Sequence, residues 1–564
     1  MKIFKLTALI ISILTIGVVP QVEEKVGSYL IQGADIQEIS ALVQETGGQI
    51  THRLDIIQTV AAQLTESQVI ALKNSPAVTR FNQNGGVRVA GARSSENSVT
   101  TTHHADLAQA WPLHEEGITG EGVTVAILDT GYYPHPRIAV DGQNHRRQVV
   151  QYNAITNEVL SDQVHTDEHG HASHLAGVIA SNKSKGNHFN GIAPDVNLVM
   201  VKAFNEQGEG AYADVIRGLN WVLENKDLYN IRVLNLSFST PPRSLYWDDP
   251  LNRAVMAAWQ AGIVVVASAG NLGPNPMTIG SPGNIPYIIT VGAVTDNYTP
   301  QDPTDDKVTS FSSAGPTVEG FVKPELTAPG GHILSTLKAT STIAREHREF
   351  REPGNLFKMS GTSQSAAVVS GVVALMLQAD PSLSPDDVKC RLLSSARTAV
   401  NAEGNPAYSV FQQGAGLVQA RDAVYNTQNG CSNRNMDIES DLANVHHYIG
   451  RANRHEDGDY YIMDRSGYEW DGSYSSEGFL WGDGFLWGDG FLWGDGFLWG
   501  DGFLWGDGFL WGDGFLWGDG FLWGDGFLWG DGFLWGDSYL QGATVQWTNQ
   551  QTESAAVNTW VDQE

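Results

Sequence analysis

Four short apolar runs constrain the fold of this chain more than any other feature. They read GVTVAILDTG (residues 122–131), VNLVMVKAF (196–204), IRVLNLSF (231–238) and GIVVVASAGN (262–271). Each is nearly continuous and rich in β-branched residues, and helical patterns such as ADVIRGLNWVLEN and PLNRAVMAAWQAG lie between them. Strands that are apolar throughout are buried on both faces. Such strands alternating with helices predict a parallel α/β sheet with helices packed on it. In sheets of this kind reactive groups gather at the carboxyl ends of the strands. Asp129 ends the first run and Asn271 the last, His171 opens the helical run HASHLAGVIA, and Ser363 opens the long apolar pattern in KMSGTSQSAAVVSGVVALML.

Each of these residues has an ordinary reading. A Ser before an apolar helix is commonly a cap. Asp129 before Gly131, and Asn271 in GNLG, suit turns. His171 stands among His165, His169, His174, Asp162 and Asp167, a set whose chemistry also admits a zinc site. Together they read differently. Acyl transfer by Ser requires a base, a carboxylate that orients the base, and donors for an oxyanion. Asp129, His171 and Ser363 supply the carboxylate, the base and the nucleophile in one of the chain orders known for such a triad, and the Asn271 amide supplies a donor.

The segments VAILDTGYYPHP, GHASHLAGVIAS, ASAGN, KPELTAPG and MSGTSQSAAVVSGVVAL resemble, in order and spacing, the subtilisin-like serine proteases, over roughly residues 117–424. The resemblance implies a subtilisin-like parallel sheet flanked by helices. It makes Asp129, His171 and Ser363 catalytic, Asn271 an oxyanion donor, and Ser237, Phe238, Ser239, Ala269 and Gly270 substrate-binding. His174 matches a second histidine that supports the site. Ala172 replaces the usual Gly after the catalytic His, Gln364 and Ser365 replace the usual Met-Ala after the Ser, and Ser239 replaces a Gly, which would narrow the first specificity pocket. No cofactor is required by this chemistry. Calcium is an expected structural ion in the family, although NKSKGNHFNGIAP matches its calcium loop poorly.

Residues 1–22 carry Lys2 and Lys5 before about fourteen mostly apolar residues, a signal-peptide pattern that implies a secreted protein. Residues 23–95 follow a β-α-β-β-α-β pattern and resemble the inhibitor-type propeptide of the same family, so the chain's own propeptide is an expected intramolecular partner. Asp35 is placed to cap its first helix, and Gly47 or Gly48 to stop it. The polar stretch GARSSENSVTTTHH reads as an exposed segment open to cutting. The main domain is then 96–428, followed by a polar linker, 429–477. Cys390 and Cys431 either pair, closing a loop worth about 4 kcal/mol of constraint on the unfolded chain, or remain separate thiols.

Residues 478–537 repeat GFLWGD ten times, within a repeat region 478–542, and a polar tail occupies 543–564. Six residues rotate a helix by 600°, so no helical face stays apolar. In an extended chain an even period keeps Phe, Trp and Asp on one face and Gly and Leu on the other. Stacked strands, as in a β-solenoid, would bury rings that one hexad cannot; a disordered array is the competing reading. Cell-surface or polysaccharide contact through the Trp side chains, or self-association, would follow from such an array. The chain carries 34 basic against 63 acidic residues, a net −29, which argues against nucleic acid as a partner. The functional expectation is a secreted serine endopeptidase acting on protein or peptide substrates. The competing one is a surface-attachment or binding protein carrying a relict protease domain.

Overall fold

The structure is a computed structural model that describes residues 26–89, 104–185, 188–299, 302, 304–401, 405–455, 459–463, 485–487 and 561. The signal-peptide pattern, the segment expected to be cut, most of the hexads and all of the tail but Val561 lie outside these residues.

The N-terminal body runs β1 (Gly27–Gln32), α1 (Ile36–Glu45), β2 (Gln49–Leu54), β3 (Thr59–Leu64), α2 (Glu66–Lys73) and β4 (Arg80–Gln83), the order the pattern predicts. Asp35 accepts from Gln37 N at 2.8 Å and caps α1. The sheet, in the order β2-β3-β1-β4, covers its own small core of Ile31, Ile39, Val43, Val60 and Leu64. A fifth strand, β5 (Gly86–Val89), leaves this body and pairs elsewhere.

The main sheet is built from the four apolar runs and their neighbours. Its strands are β6 (Thr124–Asp129), β7 (Val149–Asn153), β8 (Asn197–Lys202), β10 (Ile231–Leu236), β12 (Val264–Ser268), β13 (Ile289–Thr295) and β14 (Leu326–Pro329). They lie side by side as β14-β13-β12-β10-β6-β8-β7, every neighbouring pair parallel. Every residue of β6, β12 and β13 is buried, as unbroken apolar runs require. The packing helices are α3 (His171–Ala180), α4 (Tyr212–Glu224), α5 (Pro250–Gln260), α6 (Thr362–Ala379) and α7 (Pro385–Ser395). The ten residues of α3 are all buried, and α6 is buried through Leu377, so the two helices that carry His171 and Ser363 run through the core.

The N-terminal body rests on α4 and the entry to α5. His52 meets Asp214 at 3.0 Å, Arg80 meets Asp248 at 3.0 Å, and Ile56 N donates to Asn220 Oδ1 at 3.0 Å. Beyond them β5 runs as the middle strand between β9 (Glu209–Ala211) and β11 (Phe238–Ser239), antiparallel to both.

The polar composition of residues 429–477 predicts a linker, but its described part packs on the main body. Helix α8 (Ile438–Leu442) and strand β15 (His447–Ile449) fold there. Asp441 is fully buried and accepts from Tyr246 Oη at 2.6 Å, Tyr287 Oη at 3.0 Å and His447 Nδ1 at 2.8 Å. Partners from the main body satisfy the polar groups, which is what lets so polar a segment be buried. The two cysteines are paired: a disulfide joins Cys390 in α7 to Cys431, with their Cα atoms 5.2 Å apart. Beside it, Lys389 Nζ donates to Asn433 Oδ1 at 3.1 Å.

One buried carboxyl in this region gives a pH signature. Glu319 accepts from Tyr246 N through one oxygen, while its second oxygen is buried without a hydrogen-bond partner among the described residues. Burial raises its pKa from the ordinary 4.5 to about 7. The unfolded chain therefore ionises first as pH rises, and stability falls through the window from about 4.5 to about 7. Glu319→Gln removes this loss. In an inactive background its thermal midpoint is expected to exceed the parent's at pH 8, by on the order of 3 kcal/mol in stability, and to match it at pH 4.5. Equal midpoints at pH 8 would assign the pH dependence to other groups.

Candidate active site

Asp129 is the last residue of β6, and the chain must turn sharply to clear the sheet. Gly131 makes that turn at φ +131°, where a Cβ would stand 2.4 Å from Thr166 O. Asp129 is fully buried; it accepts from Thr130 N at 2.8 Å and from His171 Nδ1 at 2.9 and 3.0 Å. Gly170, at φ +105°, leads directly into α3, so His171 is its first residue. Burial pushes the Asp129 carboxyl up and the neighbouring His171 opposes it. With Nδ1–H given to the carboxylate, Nε2 is the basic nitrogen.

A second carboxylate stands behind this pair. Asp167 accepts from Thr130 Oγ1 at 2.7 Å, Gly170 N at 2.7 Å, Ser173 N at 2.8 Å and Ser173 Oγ at 2.5 Å. Burial pushes it up, but these donors win and hold it below the usual carboxylate range. Asp167 thus ties the approach to α3, the first turn of α3 and the Thr130 turn into one unit. Asp167 was conspicuous in the sequence only as a zinc-ligand type. Its neighbours do not converge on a metal. Asp162 meets Arg146, His165 meets Tyr132 O, and among the described residues no group of three or more His, Cys, Asp or Glu is arranged to hold a metal ion.

Ser363 is the second residue of α6, so its N–H is among the first four that lack an acceptor inside the helix. Its hydroxyl donates to Ser237 O at 2.9 Å, and Ser237 Oγ donates back to Ser363 O at 2.9 Å. The expected bond from Ser363 to His171 is not made: His171 Nε2 is buried with no hydrogen-bond partner among the described residues. The hydroxyl proton of Ser363 is held instead by the Ser237 carbonyl. Catalytic hydrogen bonds commonly tighten only in the substrate complex.

Asn271 lies three residues beyond β12. Its Oδ1 accepts from Thr362 N at 3.0 Å and Thr362 Oγ1 at 2.8 Å, and Thr362 Oγ1 also accepts from Gly270 N at 3.2 Å. Holding Oδ1 on α6 leaves the NH₂ as the end that can donate to a ligand. Thr362, missed by sequence reasoning, is therefore what orients Asn271.

The expected substrate-binding residues surround this point. Phe238 is fully buried against Phe204, ring centroids 5.1 Å apart, so its side chain belongs to the core while its backbone pairs with Val89. The Ser239 hydroxyl lies 3.3 Å from where a Cβ on Gly270 would stand and 2.0 Å from one on Gly280. Ala269 N donates to Val291 O at 3.0 Å, fixing that wall to β13. Gln364 and His174 form a pair: Gln364 Nε2 meets His174 Nδ1 at 3.4 Å, and His174 Nε2 donates to Phe357 O at 3.1 Å. Burial drives His174 down to about 3, so it stays neutral.

The sequence model of the subtilase family matches residues 120–416, more than half of the chain and the span that carries Asp129, His171, Asn271 and Ser363. The chain belongs to the subtilase family. Serine protease AprX of Bacillus subtilis (strain 168) is 36% identical over 389 residues, 68% of this subtilase and 83% of the relative. Subtilisin E of the same organism is 30% identical over 388 residues, 68% of this chain and 85% of its own. Among solved structures, fervidolysin from Fervidobacterium pennivorans aligns with a TM-score of 0.54 at 23% identity, covering 74% of this chain and 63% of its own, which bears on the fold. The subtilase fold and the serine-protease class of the family are thereby established for this chain.

Proposed function

We propose that this subtilase is a secreted, self-processing serine endopeptidase, with Asp129, His171 and Ser363 as its triad and Asn271 as an oxyanion donor. The observation that carries the reading is the buried Asp129–His171 pair, its second nitrogen without a partner among the described residues, with Ser363 at a helix start beside an oriented Asn271. Ser363 Oγ leaves Ser237 O, gives its proton to His171 Nε2 and attacks the scissile carbonyl. Asp129 steadies the imidazolium that forms. The oxyanion is met by the Asn271 amide and Ser363 N–H, with the positive end of α6 adding to both. His171 then passes its proton to the leaving amine, and water repeats the sequence on the acyl-enzyme.

The N-terminal body acts in this reading as an inhibitor-type propeptide. Support comes from β5, which lies as the middle strand between β9 and β11, where an extended substrate would pair, next to Ser237. Cutting in residues 91–104 would release it. The Ser239 hydroxyl between Gly270 and Gly280 favours small side chains at the first specificity pocket.

Labelling with a fluorophosphonate tests the assignment: one adduct on Ser363, together with a secreted form that begins between residues 91 and 104, is the expected result. Unlabelled folded protein would favour a relict domain. Asn271→Ala is expected to lower kcat by 10²–10³-fold with little change in KM, because the amide acts chiefly when charge develops. A matching rise in KM would instead make Asn271 a ground-state contact.

A further inference from the structure

Gln364, the residue after the proposed nucleophile, is fully buried in the first turn of α6. Its amide is oriented from behind. His174 Nε2 donates to Phe357 O at 3.1 Å, so Nδ1 of that neutral ring is a bare acceptor, and Gln364 Nε2 donates to it at 3.4 Å. Oε1 must then point the other way. It is buried with no hydrogen-bond partner among the described residues, an unfavourable state until a donor meets it. Gly361 shows what it faces. A Cβ built on that glycine would stand 2.9 Å from Gln364 Oε1, 3.2 Å from Asn271 Nδ2 and 3.8 Å from Ser363 N. One acceptor and the two proposed oxyanion donors thus line a single small space.

We propose that Gln364 is a positioning residue for the oxyanion donor: its Oε1 takes one N–H of the Asn271 amide and so aims the other at the oxyanion. The inference rests on the triad reading above and goes beyond it. Chemistry selects Asn271 over Ser363 N. A backbone amide has one proton, and giving it to Gln364 would withdraw it from the oxyanion. A side-chain NH₂ has two and serves both. The opposite end of Asn271 is already fixed, since Oδ1 accepts from Thr362 N at 3.0 Å and Thr362 Oγ1 at 2.8 Å. Held at both ends, the amide keeps its aim while charge develops, which is what preorganised stabilisation requires. The device belongs to this chain's own sequence. A thioether at this position, the usual residue in the resemblance above, accepts only weakly and has no N–H to give His174 Nδ1. Phe357 O, His174, Gln364 and Asn271 form one series of acceptors and donors running to the oxyanion, each fixing the sense of the next.

The test measures kcat and KM for one peptide substrate in protein expressed from the full chain, with active sites counted by fluorophosphonate titration. Gln364→Met is expected to lower kcat about tenfold with KM little changed, the effect of one hydrogen bond of ordinary net strength. In an Asn271→Ala background the same change is expected to lower kcat less than about twofold, because the group it holds is gone. Gln364→Leu carries the same expectation and takes the place of Met if that variant does not fold, which a thermal scan reads. Equal losses in the two backgrounds, a loss carried by KM, or no loss in either overturns the role. An Asn271→Ala variant as fast as the parent is a different failure: it removes the oxyanion assignment itself, and the role of Gln364 with it.

Discussion

Ser363→Ala is expected to reduce kcat/KM for peptide hydrolysis about a million-fold, the loss seen when the nucleophile of the subtilisin triad is removed. The size follows from what the hydroxyl does here. It is the group that would become covalently bound, and nothing beside it can substitute. Ser365 Oγ donates to Ala328 O at 3.0 Å, and Ser237 Oγ to Ser363 O at 2.9 Å. Both are turned to backbone carbonyls rather than to His171. The oxyanion donors survive the change, so some rate above water remains. The fold should survive as well: Ser363 is fully buried, but the hydrogen bond lost is one neutral bond to Ser237 O. That costs about 1 kcal/mol, partly offset by the better helix propensity of Ala. The variant should accumulate uncut, with the N-terminal body still docked through His52, Arg80 and β5. Processing at the wild-type rate in this variant would mean that another protease makes the cut. Residual hydrolysis above one part in a thousand would remove Ser363 from the nucleophile role.

The parallel sheet was legible because burial on both faces leaves an uninterrupted apolar signature, as β6, β12 and β13 show. The N-terminal body was legible for a different reason: its punctuation is local, with Asp35 capping α1 two residues on and Gly47, at φ +83°, just past its end. Contacts made across long sequence separations were not legible. Asp441 is stabilised by tyrosines 195 and 154 residues earlier, so its segment looked like a solvated linker. The pairing of Cys390 with Cys431 could not be decided from spacing, since it depends on the extension folding back onto α7. In the site, Asp129, His171, Ser363 and Asn271 were legible as candidates from their types, their order and the family resemblance. The roles of Thr362 and Asp167 were not, because Thr362 acts on Asn271, 91 residues earlier, and Asp167 reaches the Asp129 turn through Thr130, 37 residues earlier. The hexads were read as extended chain, which fits Phe485–Trp487; the solenoid reading falls outside the described residues.

Asp129→Asn carries the second largest expected effect, a loss in kcat of about 10⁴-fold with KM little changed. The carboxylate accepts from Nδ1 of His171, which leaves Nε2 bare and basic. An Asn amide in the same place, with its oxygen kept on Thr130 N, presents NH₂ to Nδ1. The imidazole must then carry its proton on Nε2, and the nitrogen facing the nucleophile becomes a donor instead of a base. No second carboxylate rescues it. Asp167 is already engaged by four donors, none of them a nitrogen of His171. Stability should move the other way. Burial and the like charge of Asp167 both raise the Asp129 carboxyl, so its ionisation at neutral pH opposes folding. A neutral isostere removes that opposition at the price of the attraction to His171, and the thermal midpoint at pH 7 is expected to stay level or rise while activity collapses. Loss of both together would mean that Asp129 is chiefly a structural residue; loss of rate alone is what a carboxylate that selects a tautomer requires.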